Sequence, residues 1–327
     1  MSSSVQPDPD QPDLGEQPGT PPLARTTLDR AAERRKDEAW LAAAWSRGQV
    51  LVVDLATGGR ALVTTRPDDG AALVLLPAAE APEAERWFLG VDADGTPLWT
   101  MAAALPEHPE ARAVTLREIG HRLDDRDAGI FTAAAALANW HASHLYSPRT
   151  GKATTAVEAG WARADADGAL MWPRTDPAMI VLVHDGVAGP SGRCLLGHNA
   201  AWGVGPDGVM RFSCLAGYVE PGESAEAAVS REVREEVGIR LTSLRYEGSQ
   251  SWPYPGSLML GFLAVADPSQ PLVLDPEEID EAQWLTRDAI AKMITGGYTD
   301  PTSGVPMSLP MRSSIAFYLV EKWLRAA

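Results

Sequence analysis

Gly217-Tyr-Val-Glu-Pro-Gly-Glu-Ser-Ala-Glu-Ala-Ala-Val-Ser-Arg-Glu-Val-Arg-Glu-Glu-Val-Gly-Ile239 is the most strongly patterned stretch of the 327-residue chain. A strand is expected to end at Ala216-Gly217, with a tight turn at Pro221-Gly222. Ser224 is an N-cap residue type, and Gly238 stands where a helix closes in the left-handed conformation. The spacing therefore predicts a helix over 225–237. Ala225, Val229, Val233 and Val237 recur every four residues and give that helix a buried stripe. Glu232, Glu235 and Glu236 stand at i, i+3 and i+4, so their carboxylates share one face beside the stripe. Arg231 lies four residues before Glu235 and is placed to orient it.

Three carboxylates this close repel one another unless a cation lies among them. Hard divalent ions such as Mg²⁺ prefer oxygen ligands, keep waters, and suit binding shared between glutamates and substrate phosphates. Such ions bridge phosphate oxygens and lower the pKa of an attacking water. Gly217 lets the backbone approach, and Glu223 can brace the loop or add a ligand. A Glu-rich helix by itself is usually a solvated acidic face. Here the full spacing, G-x5-E-x7-R-E-U-x-E-E-x-G-U with U aliphatic, resembles the signature of the Nudix hydrolase superfamily at every fixed position. Those positions are Gly217, Glu223, Arg231, Glu232, Val233, Glu235, Glu236, Gly238 and Ile239. At ordinary residue frequencies the invariant ones coincide by chance about once in 10⁸ placements.

Further along lies Ser249-Gln250-Ser251-Trp252-Pro253-Tyr254-Pro255-Gly256-Ser257. Its two prolines fix φ and cannot donate to a ladder, so a stiff loop presenting aromatic rings and amides is expected. The stretch resembles the S-Q-P-W-P-F-P-x-S element of the NADH pyrophosphatases within that superfamily, departing at Ser251 and Tyr254. Trp172-Pro173-Arg174-Thr175-Asp176-Pro177-Ala178 resembles the family's aromatic-P-R-x-D-P-A segment. Asp275-Pro276-Glu277-Glu278 with Glu281-Ala282-Gln283-Trp284 resembles its D-P-x-E…W segment. The likeness covers residues 135 to 327 well, and the N-terminal part in general architecture only.

The resemblance implies a C-terminal Nudix α/β/α sandwich with a mixed sheet, preceded by a smaller α+β domain and a degenerate, metal-free zinc-ribbon-like hairpin: an α+β protein. It implies Mg²⁺- or Mn²⁺-dependent cleavage of NADH or NAD⁺ to the nicotinamide mononucleotide and AMP, removal of NAD caps from RNA 5′ ends, and a homodimer. Carried over, Glu232, Glu235, Glu236 and Glu278 hold metal, with Arg231 in the catalytic group. Tyr218 and Trp172 stack on a substrate ring. Gln250, Ser257 and Met259 line the nucleotide pocket, and Trp252, Tyr254 and Ala282 complete the substrate-binding set. Two readings compete: a Nudix hydrolase of another nucleoside diphosphate derivative such as ADP-ribose, and a non-catalytic dinucleotide sensor.

Composition frames these expectations. With 28 basic and 44 acidic side chains the net charge is −16, which repels polyphosphate chains in general but tolerates one phosphate compound held through a metal. Any action on RNA would depend on local basic residues such as Arg174 or Arg312. At 45% hydrophobic and 22% charged the chain is ordinary for a globular protein, with length enough for about two domains. No apolar run approaches a membrane span, and MSSSVQPDPDQPD lacks a signal-peptide pattern, so the protein reads as cytoplasmic. Two cysteines are too few for a disulfide framework or a four-thiolate site.

The domain reading is a disordered tail over 1–22, an α+β domain over 23–144, the ribbon-like linker over 145–176 and the Nudix domain over 177–327. Within the first domain, a charged helix is expected near Leu28–Arg47 and an alanine-rich one near Ala128–His144. In the linker, Tyr146-Ser147-Pro148-Arg149-Thr150-Gly151 stands where the family has F-C-x-x-C-G, and Asp165-Ala166-Asp167-Gly168 replaces the second pair. Serine and threonine do not hold structural zinc, so none is expected. His141 and His144, at i and i+3, are expected to be unliganded.

Overall fold

The structure, a computed structural model, describes residues 19–205 and 208–326. The C-terminal half is built on β1 (Asp176–His184), whose continuous apolar run is covered on both faces. Met179, Val181 and Val183 point to one side, where helix α1 (Ala225–Val237) lays Val229, Val233 and Val237 against them. Ile180 and Leu182 point to the other, where α2 (Arg287–Ile294) and α3 (Ile315–Arg325) pack through Ile290, Phe317 and Leu319. The result is an α/β/α sandwich.

Its strands are β2 (Arg193–Asn199), β3 (Leu215–Tyr218), β4 (Leu241–Trp252), β5 (Ser257–Ala266) and β6 (Ile279–Thr286). The sheet runs β4-β5-β1-β2-β6, with β1 parallel to β5 and the other pairs antiparallel. Along its other edge β1 pairs with β3 over Ala178–Val181 and with β2 over Val183–His184. Two strands thus diverge from one edge of β1, and the gap they leave becomes a cavity. The strand expected to end at Ala216-Gly217 is β3, which runs on to Tyr218, and a separate short strand, Met210–Arg211, precedes it.

The N-terminal half holds a four-stranded sheet in which Gln49–Val53 runs parallel to Pro97–Ala102, and a three-stranded sheet centred on Arg60–Thr65. Helix Asp125–Ser143 packs on them through Ile130, Phe131, Leu137 and its small alanines. The helix expected at Leu28–Arg47 is instead a 3₁₀ turn, Ala32–Arg34, and a separate helix, Glu38–Trp45. Asp37 interrupts the run because its side chain caps Trp40 N, starting a new helix. Residues 1–18 of the expected tail lie outside the described residues. In its last residues, 19–22, Pro21 is buried and lies against Gly248; Leu23, the first residue of the expected domain, is buried and donates its N–H to Gln250 Oε1 at 3.0 Å.

The linker forms a three-stranded sheet, Thr154–Val157, Ala162–Asp165 and Leu170–Met171. Ser147 and Thr150 stand at the cysteine positions of the first knuckle. Ser147 Oγ accepts from the N–H groups of Arg149 and Thr150, and Thr150 Oγ1 donates to Asp165 Oδ2 of the second turn at 2.7 Å. Lys152 pairs with Asp167 across the same gap. Hydrogen bonds thus join the two turns that a metal joins in a zinc ribbon.

Beneath the linker His141 is buried and stacks on Trp87 at 4.2 Å. Its Nδ1 accepts from Arg163 Nη1 at 2.8 Å, so Nε2 carries the proton donated to the Gly160 carbonyl at 2.9 Å. Burial, helped by the Arg163 charge, lowers its pKa from 6.5 to about 4. The unfolded chain therefore takes up this proton near pH 6.5 while the folded one resists until about 4. The stability is fully present above pH 6.5 and falls as pH drops from there, by about 3 kcal/mol at about 1.4 kcal/mol per pH unit. Thermal unfolding of wild type and His141→Gln between pH 7 and pH 4 checks this: wild type should lose stability more steeply, and parallel curves would refute it.

Candidate active site

Helix α1 is held at both ends as its sequence requires. Ser224 Oγ accepts from Ala227 N at 3.1 Å, and Gly238 takes φ 76°, its N–H closing onto the Arg234 carbonyl. The glutamate face does not lie on the surface. Glu232 and Glu236 are buried, at 8% and 3% exposure, and only Glu235 is open. The cover is β3, which passes so near that a Cβ on Gly217 would fall 2.0 Å from the Glu232 carboxyl. The glycine is required by this close approach, since the left-handed region is not used here.

Arg231 organises the loop before the helix. Its Nε and Nη2 grip the two oxygens of Glu223 at 2.9 Å each, and Nη2 also donates to the Tyr218 carbonyl at 3.0 Å. Its Nη1 reaches one oxygen of Glu232 and one of Glu235, both at 2.9 Å. These contacts raise the Arg231 pKa and hold Glu223 below the usual carboxylate range.

Among the described residues no three His, Cys, Asp or Glu side chains are gathered tightly enough to hold a metal as they stand. Arg231 occupies part of the set. Glu236, however, keeps Oε2 buried with no hydrogen-bond partner. Burial first, and then the charges of Glu232 and Glu278, push its carboxyl up to about 8, and burial raises Glu232 too. Glu278 sits in the turn Asp275–Glu278, which is tied to the end of α1 by Asp275 N donating to the Glu236 carbonyl at 3.1 Å. An orphaned carboxylate oxygen among all-oxygen donors of one sign fits a hard divalent cation.

Glu236 also borders a cavity of about 220 Å³ in the gap between β2 and β3, lined on one side by Gly197 and Ala216. Trp252 and Met259 face the same space from β4 and β5. Tyr218 (57% exposed) and Trp172 (54% exposed) lie outside that lining; the Tyr218 hydroxyl approaches Ser257 Oγ at 3.4 Å.

Ser257, also expected at the pocket, is outside the lining, and three further residues of the expected set are placed elsewhere. Gln250 is buried, its amide committed to Leu23 N and to the Ser313 carbonyl. Tyr254 packs on the N-terminal core with the Arg117 guanidinium 3.9 Å from its ring centroid. Ala282 stands opposite Gly197 in the sheet, against the α1-side core. The stiff loop is correspondingly short: residues 249–252 belong to β4, because all have N–H groups free to pair, and the turn is confined to 253–256. Trp202 and Met311, both part-exposed, line the cavity and were not anticipated; an aromatic in the glycine-punctuated run Trp202-Gly-Val-Gly205 was the available signal.

Residues 174–301 match the NUDIX domain family, and residues 40–140 match the NADH pyrophosphatase-like rudimentary NUDIX domain. The chain is 40% identical over 314 residues to a Mycobacterium tuberculosis protein named NAD-capped RNA hydrolase NudC, covering 93% of this chain and 94% of that one. It is 34% identical over 266 residues to the human NAD(P)H pyrophosphatase NUDT13, mitochondrial, covering 77% of this chain and 71% of the relative. Sandwich and glutamate box define the class, a Nudix domain behind a rudimentary second one. Within that class the chain belongs to the NADH pyrophosphatase (NAD-capped RNA hydrolase) family.

Proposed function

We propose that this protein hydrolyses the pyrophosphate of NADH and NAD⁺ to the nicotinamide mononucleotide and AMP, and removes NAD from capped RNA 5′ ends. The observation that carries this is the meeting of Glu236 with Trp252 and Met259 around one cavity, which joins the glutamate box to the hairpin of the family's second motif. Water's oxygen adds to one phosphorus, and the bridging oxygen leaves with the other. Mg²⁺ or Mn²⁺, held by Glu232, Glu235, Glu236 and Glu278, supplies charge neutralisation for the phosphates and a more acidic water. Arg231 fixes the direction of Glu235 and the Glu223 loop. Tyr218 and Trp172 offer exposed rings for stacking, and Ser257 orients the Tyr218 hydroxyl. Gln250, Tyr254 and Ala282 serve the site by fixing the hairpin and sheet that present Trp252 and Met259.

The proposal extends to a homodimer, a cytoplasmic location and a ribbon without zinc, the last supported by the Thr150–Asp165 bond. Among the described residues no helix is long and apolar enough to cross a membrane.

Incubation with Mn²⁺ and NADH, NAD⁺ or ADP-ribose in parallel tests the substrate. AMP and the mononucleotide from NADH are expected; cleavage of ADP-ribose alone would refute nicotinamide selection. Chelation with EDTA should abolish turnover, and Mn²⁺ should restore it, with no stoichiometric zinc in the untreated protein. Tightly bound zinc would overturn the metal-free ribbon.

A further inference from the structure

A second concavity, about 760 Å³, lies between α3 and the far end of β4. Four cationic side chains, Arg245, Arg312, Lys322 and Arg325, line it against two carboxylates, Glu247 and Glu321, so it carries net positive charge on a chain of −16. Both carboxylates are paired within the groove, Glu321 with Arg325 at 3.4 Å. Glu247 is 4% exposed, and its charge is taken up internally by Lys322 beside it and by Arg245 Nε at 2.5 Å. Arg245 and Arg325 nevertheless remain 70% and 77% exposed. Arg312 has no carboxylate partner within ion-pair distance among the described residues; its guanidinium lies 5.1 Å over Phe317.

The groove and the candidate active site are built on the same elements, with Pro21 and Leu23 packed on β4 between them. Trp252 and Met259 of β4 and β5 face the catalytic cavity, whereas Arg245 and Leu263 of the same two strands face the groove. From Trp252 to Tyr246 is six residues, about 20 Å at roughly 3.3 Å each. Helix α3 joins the two places as well: Ile315 and Ala316 border the cavity, and Tyr318, Lys322 and Arg325 border the groove.

We propose that this groove is the track for the single-stranded RNA that follows a 5′ NAD cap. Arg245, Arg312 and Arg325 would neutralise successive phosphates. The proposal rests on the NAD pyrophosphatase reading of the cavity. It explains how so acidic a protein processes RNA: the repulsion of the whole surface is relieved along one line a few nucleotides from the cleaved bond.

The test compares the full chain with Arg245→Gln/Arg312→Gln/Arg325→Gln, with Mn²⁺, on NADH and on a short unstructured RNA bearing a 5′ NAD. The variant should leave kcat/KM on NADH unchanged and lower it on the RNA by about tenfold or more. The plot of log kcat/KM for RNA against log salt should become shallower by about 2, from three contacts at roughly 0.7 each for single strands. Arg312→Gln alone should give about a third of that change in slope. Equal losses on both substrates, or an RNA rate that the variants do not move, would overturn the track. A wild type that cleaves NADH but not the capped RNA would overturn the track and spare the reading of the cavity; one that cleaves neither would overturn both.

Discussion

Glu236→Gln should leave a folded protein with less than about one-hundredth of the wild-type kcat on NADH, a larger loss than the 10–100-fold typical of groups one shell out from a metal. Glu236 is the carboxylate with a buried oxygen that no protein donor satisfies, facing the cavity and surrounded by the charges of Glu232 and Glu278. A neutral amide of the same shape keeps the packing and removes the cost of ionising a carboxyl that burial and its like-charged neighbours push up to about 8. Without metal, the variant should therefore unfold at the same temperature as wild type or higher. The discriminating readout is the rise in Tm that Mn²⁺ confers by binding only the folded state. Wild type should show it and Glu236→Gln should not. A variant that retains both the Mn²⁺ shift and turnover would remove Glu236 from the chemistry.

That variant also marks a boundary of what could be read from the sequence. Helix α1 was legible to the residue, because its signals are local: a serine cap, a left-handed glycine and valines every four residues. The burial of two of its three glutamates was not, since it depends on β3 crossing over them from 15 or more residues upstream. The spacing alone reads as a surface-facing set. Gln250 shows the same limit: its motif was legible, but pairing in β4 turns its amide toward Leu23 and Ser313, partners 227 and 63 residues away. Trp252 and Met259 were singled out through the resemblance of their motif to the family's, and both border the cavity. In the linker, the loss of cysteines was visible in sequence, whereas the Thr150–Asp165 bond required knowing that the two turns still face each other. The N-terminal half was expected to be α+β, but Asp37 split its first helix by capping rather than continuing it.

Gly217→Ala should lower kcat on NADH by about 10–100-fold, the range for residues that place a metal-site ligand, while costing only about 1–3 kcal/mol of stability from overpacking. The added methyl would stand 2.0 Å from both the Glu232 carboxyl carbon and its Oε1. Something must move, and the movable partner is the end of the Glu232 side chain, because Gly217 itself is fixed by pairing with Met179 of β1. A displaced Glu232 loses its contact with Arg231 Nη1 and its position beside Glu236. If this is the route, Gly217→Ala and Glu232→Gln damage the same thing, and the double variant should be little worse than the more severe single one. Losses that multiply would place the role of Gly217 elsewhere, in the approach of substrate to the β3 backbone. Near wild-type activity in Gly217→Ala would mean that the carboxyl has room to turn aside without leaving the site, and the close approach of β3 would then have no catalytic consequence.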